Sequence, residues 1–210
     1  MARLVLGTDK TVVTPAIVKE VQLVEPYALL SRVKDDSNND IGCVVGYHID
    51  SNNQKYAVVC LNKQYRTATK YAWLANGITV SGMPLYTSSA VYSAPETATF
   101  NCDKIIATGQ TSAAVNACRS NSFTIGGVTY YGQLPTLSEM VLIMMYRTQI
   151  NTNDPSGSGT EIVTTVAYWS SNQETDVFAW DVRELGYINT YAKTNSSYCR
   201  VAPVLEIPIN

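Results

Sequence analysis

The segment LPTLSEMVLIMMYRTQI (134–150) carries the clearest helical signal in the chain. Thr136 and Glu139 form a capping-box pattern, in which the threonine side chain accepts a backbone N–H and the glutamate side chain returns to the backbone of the cap. The pattern predicts a helix over 136–149 whose methionine-bearing stripe belongs to a protein core rather than to a cofactor pocket. The apolar residues at helical spacing are Leu137, Met140, Val141, Met144 and Met145.

Upstream of this helix, the sequence predicts a β-hairpin. IGCVVGYHI (41–49) and KYAVVCLN (55–62) are rich in β-branched and aromatic residues, and they flank the polar turn DSNNQ (50–54). Residues 63–100, rich in Thr, Ser and Tyr, are expected to be irregular or short-stranded. A second, weaker helix is predicted over 109–119, where small side chains would allow close packing.

Downstream of the helix, three strands are predicted after the loop NTNDPSGSG (151–159). They are EIVTTVAYWSS (161–171), VFAWDV (177–182) and SYCRVAPVLEI (197–207). Strands, then two helices, then strands form an α+β pattern rather than a βαβ pattern. Residues 1–24 alternate apolar and polar side chains and are interrupted by Pro15, so they are predicted to form an extended N-terminal arm.

Composition limits the partners of the chain. It has 210 residues, of which 46% are hydrophobic and 15% are charged, so a core can form and global disorder is not expected. The net charge of -2, without a Lys/Arg cluster, argues against nucleic acid and anionic membranes. No stretch has the length of a membrane span, and the first residues are too polar for a signal peptide. We therefore expect a soluble protein with no membrane insertion and no export by the general secretory route.

Neither the cysteines nor the histidine suggest a catalytic or metal centre. The five cysteines are widely scattered and include no CxxC pair. His48 is the only histidine and no nucleophile accompanies it, so a structural role is favoured over a catalytic one. We predict no metal, no cofactor and no enzymatic activity. The fourteen tyrosines, against three phenylalanines, fit a binding surface and a tyrosine-rich β protein equally well.

Several short motifs occur in an order similar to that found in a known protein family. The motifs are GVTYYGQLPTLSEM (127–140), YWSS (168–171), AWDV (179–182), Gly186, Lys193 and SYCRVAPV (197–204). Together they resemble the C-type-lectin-like domain carried by variable proteins of diversity-generating retroelements, whose best-known member is a phage tail receptor-binding protein. The resemblance implies a C-type-lectin-like fold of mixed antiparallel sheets with two helices over 25–210. In this fold the first hairpin shares a sheet with the last strand. The resemblance also implies a variable region at about 168–204.

In this family, fixed residues carry the packing while exchangeable residues bind the ligand. The resemblance implies that the scaffold residues are Trp169, Ser170, Ser171, Trp180, Gly186 and Arg200. Randomising the adenines of asparagine-type codons never yields Trp, Lys, Glu, Gln or Met, which argues against variation at positions such as Gln173 and Lys193. The alternative is that the remaining polar positions are ordinary loop residues. The permitted positions, and hence the predicted ligand-binding residues, are Asn172, Thr175, Asp176, Phe178, Asp181, Arg183, Tyr187, Asn189, Thr190, Tyr191 and Thr194.

Strand alternation predicts which of these side chains are exposed. Trp180 and Val182 would face inward while Asp181 and Arg183 face outward. The same alternation sends Ile188 inward and its two neighbours outward. An exposed face that combines aromatic side chains with short polar groups is typical of binding loops. The residues expected on this face are Asp176, Phe178, Asp181, Arg183, Tyr187, Asn189 and Tyr191.

These patterns predict a binding protein rather than an enzyme. Its partner would be a protein or glycan receptor on a bacterial cell surface, and the protein itself would belong to the tail region of a phage virion. Several copies of the chain, as a homo-oligomer, would provide avidity. The alternative is a calcium-dependent or calcium-independent sugar-binding lectin or adhesin. The usual Glu-Pro-Asn or Gln-Pro-Asp tripeptide is absent, although Glu174, Asp176, Asp181 and Glu184 leave a calcium site open. Formylglycine-generating oxidases share the implied fold, but their paired cysteines have no counterpart beside Cys199.

Overall fold

The computed structural model describes residues 27–184 and 187–209. This part of the chain is of the predicted α+β class, with three α-helices, 3-10 helices at Lys63–Tyr65 and Ser89–Ser93, and three β-sheets. The predicted arm (1–24) and Gly186 lie outside the described residues. The helices are α1 (Ala98–Ala107), α2 (Ala113–Arg119) and α3 (Leu137–Thr152). The strands are β1 (Arg32–Lys34), β2 (Asp40–Ile49), β3 (Lys55–Leu61), β4 (Ser122–Ile125), β5 (Val128–Tyr131), β6 (Ala167–Gln173), β7 (Phe178–Glu184), β8 (Tyr187–Ala192), β9 (Cys199–Arg200) and β10 (Val204–Ile209).

The predicted hairpin and the last strand share the first sheet, whose strand order is β1-β2-β3-β10. β2 and β3 are antiparallel and are joined by the predicted turn at 50–54. β10 runs antiparallel to β3 from Val204, opposite Cys60, to Ile209, opposite Lys55. One face of this sheet packs against α3 and the other against the β4–β5 hairpin. The prediction that the hairpin and the last strand lie in one sheet is confirmed.

The long helix α3 begins as predicted. The Thr136 side chain accepts the N–H of Glu139, and the Glu139 carboxylate accepts the N–H of Thr136, so the capping box is complete. The buried side of α3 packs against β2 and β3 as well as against β6 and β7. Met145 departs from the predicted apolar stripe, since 49% of it is exposed. α3 therefore supplies the core that the two larger sheets share.

The region before α3 contains two helices where one was predicted. The helix predicted over 109–119 begins only at Ala113, after the N-cap Ser112. α1 begins at Ala98, inside the segment 63–100 that was expected to be irregular, so this expectation is wrong only for the last residues of that segment. Gly109 has a φ of 70°, a left-handed conformation that separates the two helices. Thr97 caps the start of α1 by accepting the N–H of Phe100, a local signal that the sequence prediction missed, and the distant Glu206 carboxylate accepts the N–H groups of Ala98 and Thr99.

The second sheet has the strand order β8-β7-β6-β9, in which only β9 is parallel to its neighbour. The single strand predicted over 197–207 is wrong, because β9 joins this sheet while β10 joins the first. Pro203 lies between them and has no N–H for a continuous ladder. The strand predicted from 161 begins only at Ala167. β8 was expected to be a polar connection, and it is a strand because β7 offers it a partner.

Both faces of the second sheet are covered over most of their area. One face packs against α3 through Tyr168, Trp180 and Val182. The other face packs against α1, α2 and the irregular residues 71–83. All five cysteines are buried as free thiols within these cores and the first sheet. Among the described residues, no helix combines the length and the apolar character that crossing a bilayer requires.

Candidate functional site

The neighbouring strands β7 and β8 place part of the predicted ligand-binding set on one face of the second sheet. Asp181 lies opposite Asn189, and Ala179 lies opposite Tyr191. Tyr187 belongs to this same face because successive side chains of β8 point to opposite sides, and Arg183, at a bulge of β7, lies beside the Tyr187 ring. Trp180, Val182 and Ile188 pack in the core against α3, on the other face. The predicted inward orientation of Trp180, Val182 and Ile188 is therefore confirmed.

Tyr198, which directly precedes β9, joins these residues through its ring. The rings of Tyr191 and Tyr198 stack with centroids 4.1 Å apart and planes 9° from parallel. The guanidinium carbon of Arg183 lies 4.7 Å from the centroid of Tyr198 and 5.6 Å from that of Tyr187, within cation–π range. We refer to Asp181, Arg183, Tyr187, Asn189, Tyr191 and Tyr198 together as the tyrosine face.

The carboxylate of Asp181 is the unusual member of the tyrosine face. The prediction that it is exposed is wrong, since the residue is completely buried. β7 is an inner strand, so Trp169 of β6 and Asn189 of β8 flank Asp181 on both sides. No described residue donates a hydrogen bond to either carboxylate oxygen, and the Nε of Arg183 lies 3.7 Å away, too far for one. Burial raises the pKa of Asp181 to about 6, while the positive charge of Arg183 opposes this rise.

The raised pKa of Asp181 leads to a test of its burial. The folded protein holds this proton more tightly than the unfolded chain, so the stabilisation is complete below about pH 4 and is lost as the pH rises through about 6. We expect Asp181→Asn to raise the free energy of unfolding by about 1–2 kcal/mol at about pH 7.5, with a smaller or reversed effect at about pH 4.5. Urea titrations of both proteins at the two pH values would measure the difference. The exposed Glu161→Gln serves as the control, and an equal effect of Asp181→Asn at both pH values would contradict the burial argument.

Other predicted ligand-binding residues lie away from the tyrosine face. Asn172 is buried, and its side-chain oxygen accepts the N–H of Leu137 at 2.8 Å, so the prediction that it contacts a ligand is wrong. Thr190, opposite Trp180, points to the α3 side of the sheet, as Phe178 does by strand alternation. Thr175 accepts the N–H groups of Val177 and Phe178 and so shapes the β6–β7 turn. Asp176, Phe178 and Thr194 are exposed near this turn, at the opposite end of β7 from Arg183.

The scaffold residues fix the irregular segment before α1 to the second sheet. Trp169 donates its indole N–H to the carbonyl of Tyr71 at 2.7 Å, and Trp180 donates to that of Tyr86 at 2.8 Å. The Nε of Arg200 donates to the carbonyl of Ala68 at 3.1 Å. Ser170 and Ser171 are fully buried. The Ser170 hydroxyl donates to the carbonyl of Trp180, and the Ser171 hydroxyl accepts from the side-chain amide of Asn101. These five residues therefore make structural contacts, as the scaffold prediction requires of them.

Sequence reasoning missed part of this scaffold. Trp73 is completely buried and donates its indole N–H to the carbonyl of Ser170 at 2.7 Å. The buried Nζ of Lys193 donates to the carbonyl of Ile78 and to Gln173, and it lies 4.9 Å from the Trp73 ring centroid. Burial lowers the pKa of Lys193 to about 8, although the charge of Asp176 opposes this. The codon argument had already excluded variation at Gln173 and Lys193, and a fixed residue at these two positions is consistent with a structural role.

A separate group of buried side chains has the chemistry of metal ligands. His48 of β2, Glu139 of α3 and Glu206 of β10 each offer one ligand atom, and these atoms lie within 4.8 Å of one another. Burial, followed by the neighbouring charge of Glu206, raises the pKa of Glu139 well above its usual value. The residues come from elements far apart in the chain, so no spacing pattern could have revealed the group. Their convergence differs from the sequence-based expectation of a purely structural histidine.

Comparisons of the chain with family models, with curated proteins and with solved structures find no match. The likeness to variable proteins of diversity-generating retroelements therefore depends on the quoted sequence strings.

Proposed function

We propose that this chain is a receptor-binding protein of C-type-lectin-like fold, and that its tyrosine face contacts a receptor on a bacterial cell surface. The observation that carries the proposal is the gathering of predicted exchangeable residues from β7 and β8, together with Tyr198, on one side of the second sheet. Their neighbours at alternate positions are packed into the core. Substitution at the half-exposed Tyr187 therefore leaves most core contacts in place, whereas Tyr191 and Tyr198 also pack against the core on their own side of the sheet.

The arrangement of the strands supports the finer fold assignment. The resemblance implies a first hairpin that pairs with the last strand, and β10 pairs with β3 of that hairpin. It also implies a variable region carried by large buried anchors, and Trp169 and Trp180 are buried between the exchangeable positions. These two features are common to the family description and to this chain.

The chemistry of the tyrosine face suits recognition of a polar surface. Tyrosine rings provide large apolar contact areas, and their hydroxyls form hydrogen bonds at a low entropic cost. Tyr187 is 50% exposed, and the Arg183 guanidinium lies beside it with further donors. Asn189 adds an amide that both donates and accepts. Such a face can bind either a glycan or a protein, and the small area per copy favours display in several copies.

A double substitution on β8 tests this assignment. We expect Tyr187→Ser combined with Asn189→Arg to weaken binding to target cells by at least about tenfold, because both an aromatic anchor and an adaptable hydrogen-bonding group are lost. The melting temperature should change by less than about 3 °C, since partly exposed side chains contribute little to stability. Fluorescently labelled protein would be titrated onto a panel of intact bacteria, with binding read by flow cytometry and melting by circular dichroism.

The matched control is Tyr131→Ser combined with Thr129→Arg on β5. Tyr131 is 53% exposed, close to the value for Tyr187, and the two positions have the same spacing on a strand of another sheet. This control should bind as the parent does. Binding that is lost only from protease-treated cells identifies a protein receptor, whereas loss after periodate oxidation identifies a glycan. Loss after calcium chelation would favour the lectin alternative, and unchanged binding by the β8 variant would exclude the tyrosine face.

The genomic neighbourhood tests the family assignment independently of any binding assay. A diversity-generating retroelement requires a reverse transcriptase gene and a near-copy of the 3′ end of the coding sequence. We expect the two copies to differ at adenines of the codons for exposed positions such as Tyr187 and Asn189, and to agree at those for Trp169 and Trp180. Differences spread evenly over all codons would contradict the assignment.

A further inference from the structure

Three hydrogen-bond acceptors converge at a buried point between the first sheet and the helices α1 and α3. They belong to His48, Glu139 and Glu206, each of which is less than one-tenth exposed. The Nδ1 of His48 lies 4.0 Å from the Oε1 of Glu139. No described residue donates a hydrogen bond to this Oε1, which is itself shielded from solvent. A buried carboxylate oxygen without a partner is costly, so its position requires an explanation.

His48 and Glu139 are held in place by the polar atom that points away from the group, and Glu206 is held by hydrogen bonds to both of its carboxylate oxygens. The Nε2 of His48 lies 3.2 Å from the carbonyl of Pro95, and because a carbonyl only accepts, this nitrogen carries the proton. The Nδ1 therefore keeps a free lone pair in the neutral ring. The Oε2 of Glu139 accepts the N–H of Thr136 at 2.7 Å. The carboxylate of Glu206 accepts the N–H groups of Ala98 and Thr99 at 2.8 and 2.7 Å.

We propose that His48, Glu139 and Glu206 bind a divalent transition-metal ion of the zinc type. Lone pairs and negative charges that face one another in a buried space repel unless a cation or a shared proton lies between them. A metal-binding histidine commonly donates its other ring N–H to a carbonyl, as His48 does, and metal-binding carboxylates are themselves hydrogen-bonded. The imidazole ligand favours zinc and its neighbours over calcium and magnesium, which prefer oxygen ligands throughout.

The spacing of the ligand atoms suits an ion of this size after small side-chain rotations. Ligands about 2.1 Å from a tetrahedral zinc ion are about 3.4 Å apart, against the observed spacing of up to 4.8 Å. Three protein ligands leave a fourth position for water or another ligand. A cleft of about 290 Å³ borders Glu206 and is lined by Thr97, Thr99, Gln133 and Tyr56, among others. It offers the ion a route from solvent to the carboxylate.

Zinc titration of the metal-free protein tests the site. We expect zinc chloride, added to the chelator-treated full chain under reducing conditions, to bind with a stoichiometry of one and to raise the melting temperature. Glu139→Gln should weaken the binding measured by calorimetry at least about tenfold, because the amide cannot replace the carboxylate ligand. His48→Gln should do the same while keeping an amide that can donate to the Pro95 carbonyl. Glu161→Gln, at an exposed acid in a loop, should bind zinc as the parent does.

The spectrum of bound cobalt(II) distinguishes metal bound at this site from metal bound by the buried thiols. Binding at His48, Glu139 and Glu206 should give a visible spectrum without the near-ultraviolet thiolate-to-cobalt charge-transfer band, since no cysteine belongs to the group. The metal-free spectra of both variants in circular dichroism establish that they are folded before titration. If the parent binds no zinc, the proposal is wrong, and a proton shared between the carboxyl groups explains their convergence instead. Unchanged affinity in the folded His48→Gln variant, or a thiolate band, would overturn it equally, and neither outcome bears on the tyrosine face.

Discussion

Replacing Trp169 by alanine is expected to lower the free energy of unfolding by about 3–5 kcal/mol, and Trp180→Ala should have an effect of the same size. Trp169 is completely buried and Trp180 nearly so, which means that each truncation opens a large cavity. Each also leaves a main-chain carbonyl, of Tyr71 or Tyr86, without its indole donor. For a domain whose total stability is about 5–15 kcal/mol, either substitution removes a large fraction.

Chemical unfolding followed by fluorescence and circular dichroism would measure these effects. Tyr187→Ala is the matched aromatic control, because Tyr187 lies in the same sheet, on the strand next to that of Trp180, but is half exposed, and it should cost less than about 1 kcal/mol. Asn189→Ala should behave in the same way. Tyr191→Ala should cost slightly more, since its ring stacks on Tyr198. Comparable losses for Trp169 and Tyr187 would show that the division between scaffold and tyrosine face is wrong.

The second large effect is expected at the buried ion pair between Arg66 and Asp154. Their side chains are 2% and 1% exposed, and the Nη2 of Arg66 lies 3.0 Å from the Oδ2 of Asp154. The same carboxylate accepts the N–H groups of Lys63 and Ser156, which ties the end of α3 to the segment after β3. Asp154→Ala should cost about 3–5 kcal/mol because it leaves the Arg66 guanidinium buried without a counter-charge.

Asp103→Ala is the control for this prediction. Asp103 pairs with Arg119 at the shorter distance of 2.6 Å, but its side chain is 61% exposed, so we expect a loss below about 1 kcal/mol. Burial opposes the ionisation of Asp154, yet hydrogen bonds from Lys63 and Ser156 and the charge of Arg66 hold its pKa below the usual value. Its contribution is therefore complete above about pH 4 and is lost as the pH falls further. Equal losses for Asp103→Ala and Asp154→Ala in urea titrations at neutral pH would contradict the desolvation argument.

Local interactions explain what the sequence by itself determined. The capping box at Thr136 and Glu139 fixes the start of α3 through hydrogen bonds within four residues. The β2–β3 hairpin follows from β-rich runs on both sides of an asparagine-containing turn. Strand alternation assigned Trp180 and Val182 to one face of β7 and Asp181 to the other. In all these cases the deciding contacts join residues close in sequence.

Contacts between residues far apart in the sequence decided the features of the fold and of the candidate site that local patterns did not predict. Alternation separates the two faces of β7, but both faces are covered and β7 is an inner strand, so Asp181 is buried where exposure was predicted. The Glu206 carboxylate of β10 accepts the N–H groups of Ala98 and Thr99 and so adds to the local cap of α1 at Thr97. Tyr198 joins the tyrosine face, and His48 meets Glu139 and Glu206, only after the sheets have assembled around α3. Burial and convergence depend on which elements pack together, and that choice is set by the summed apolar contacts of the whole core rather than by any local pattern.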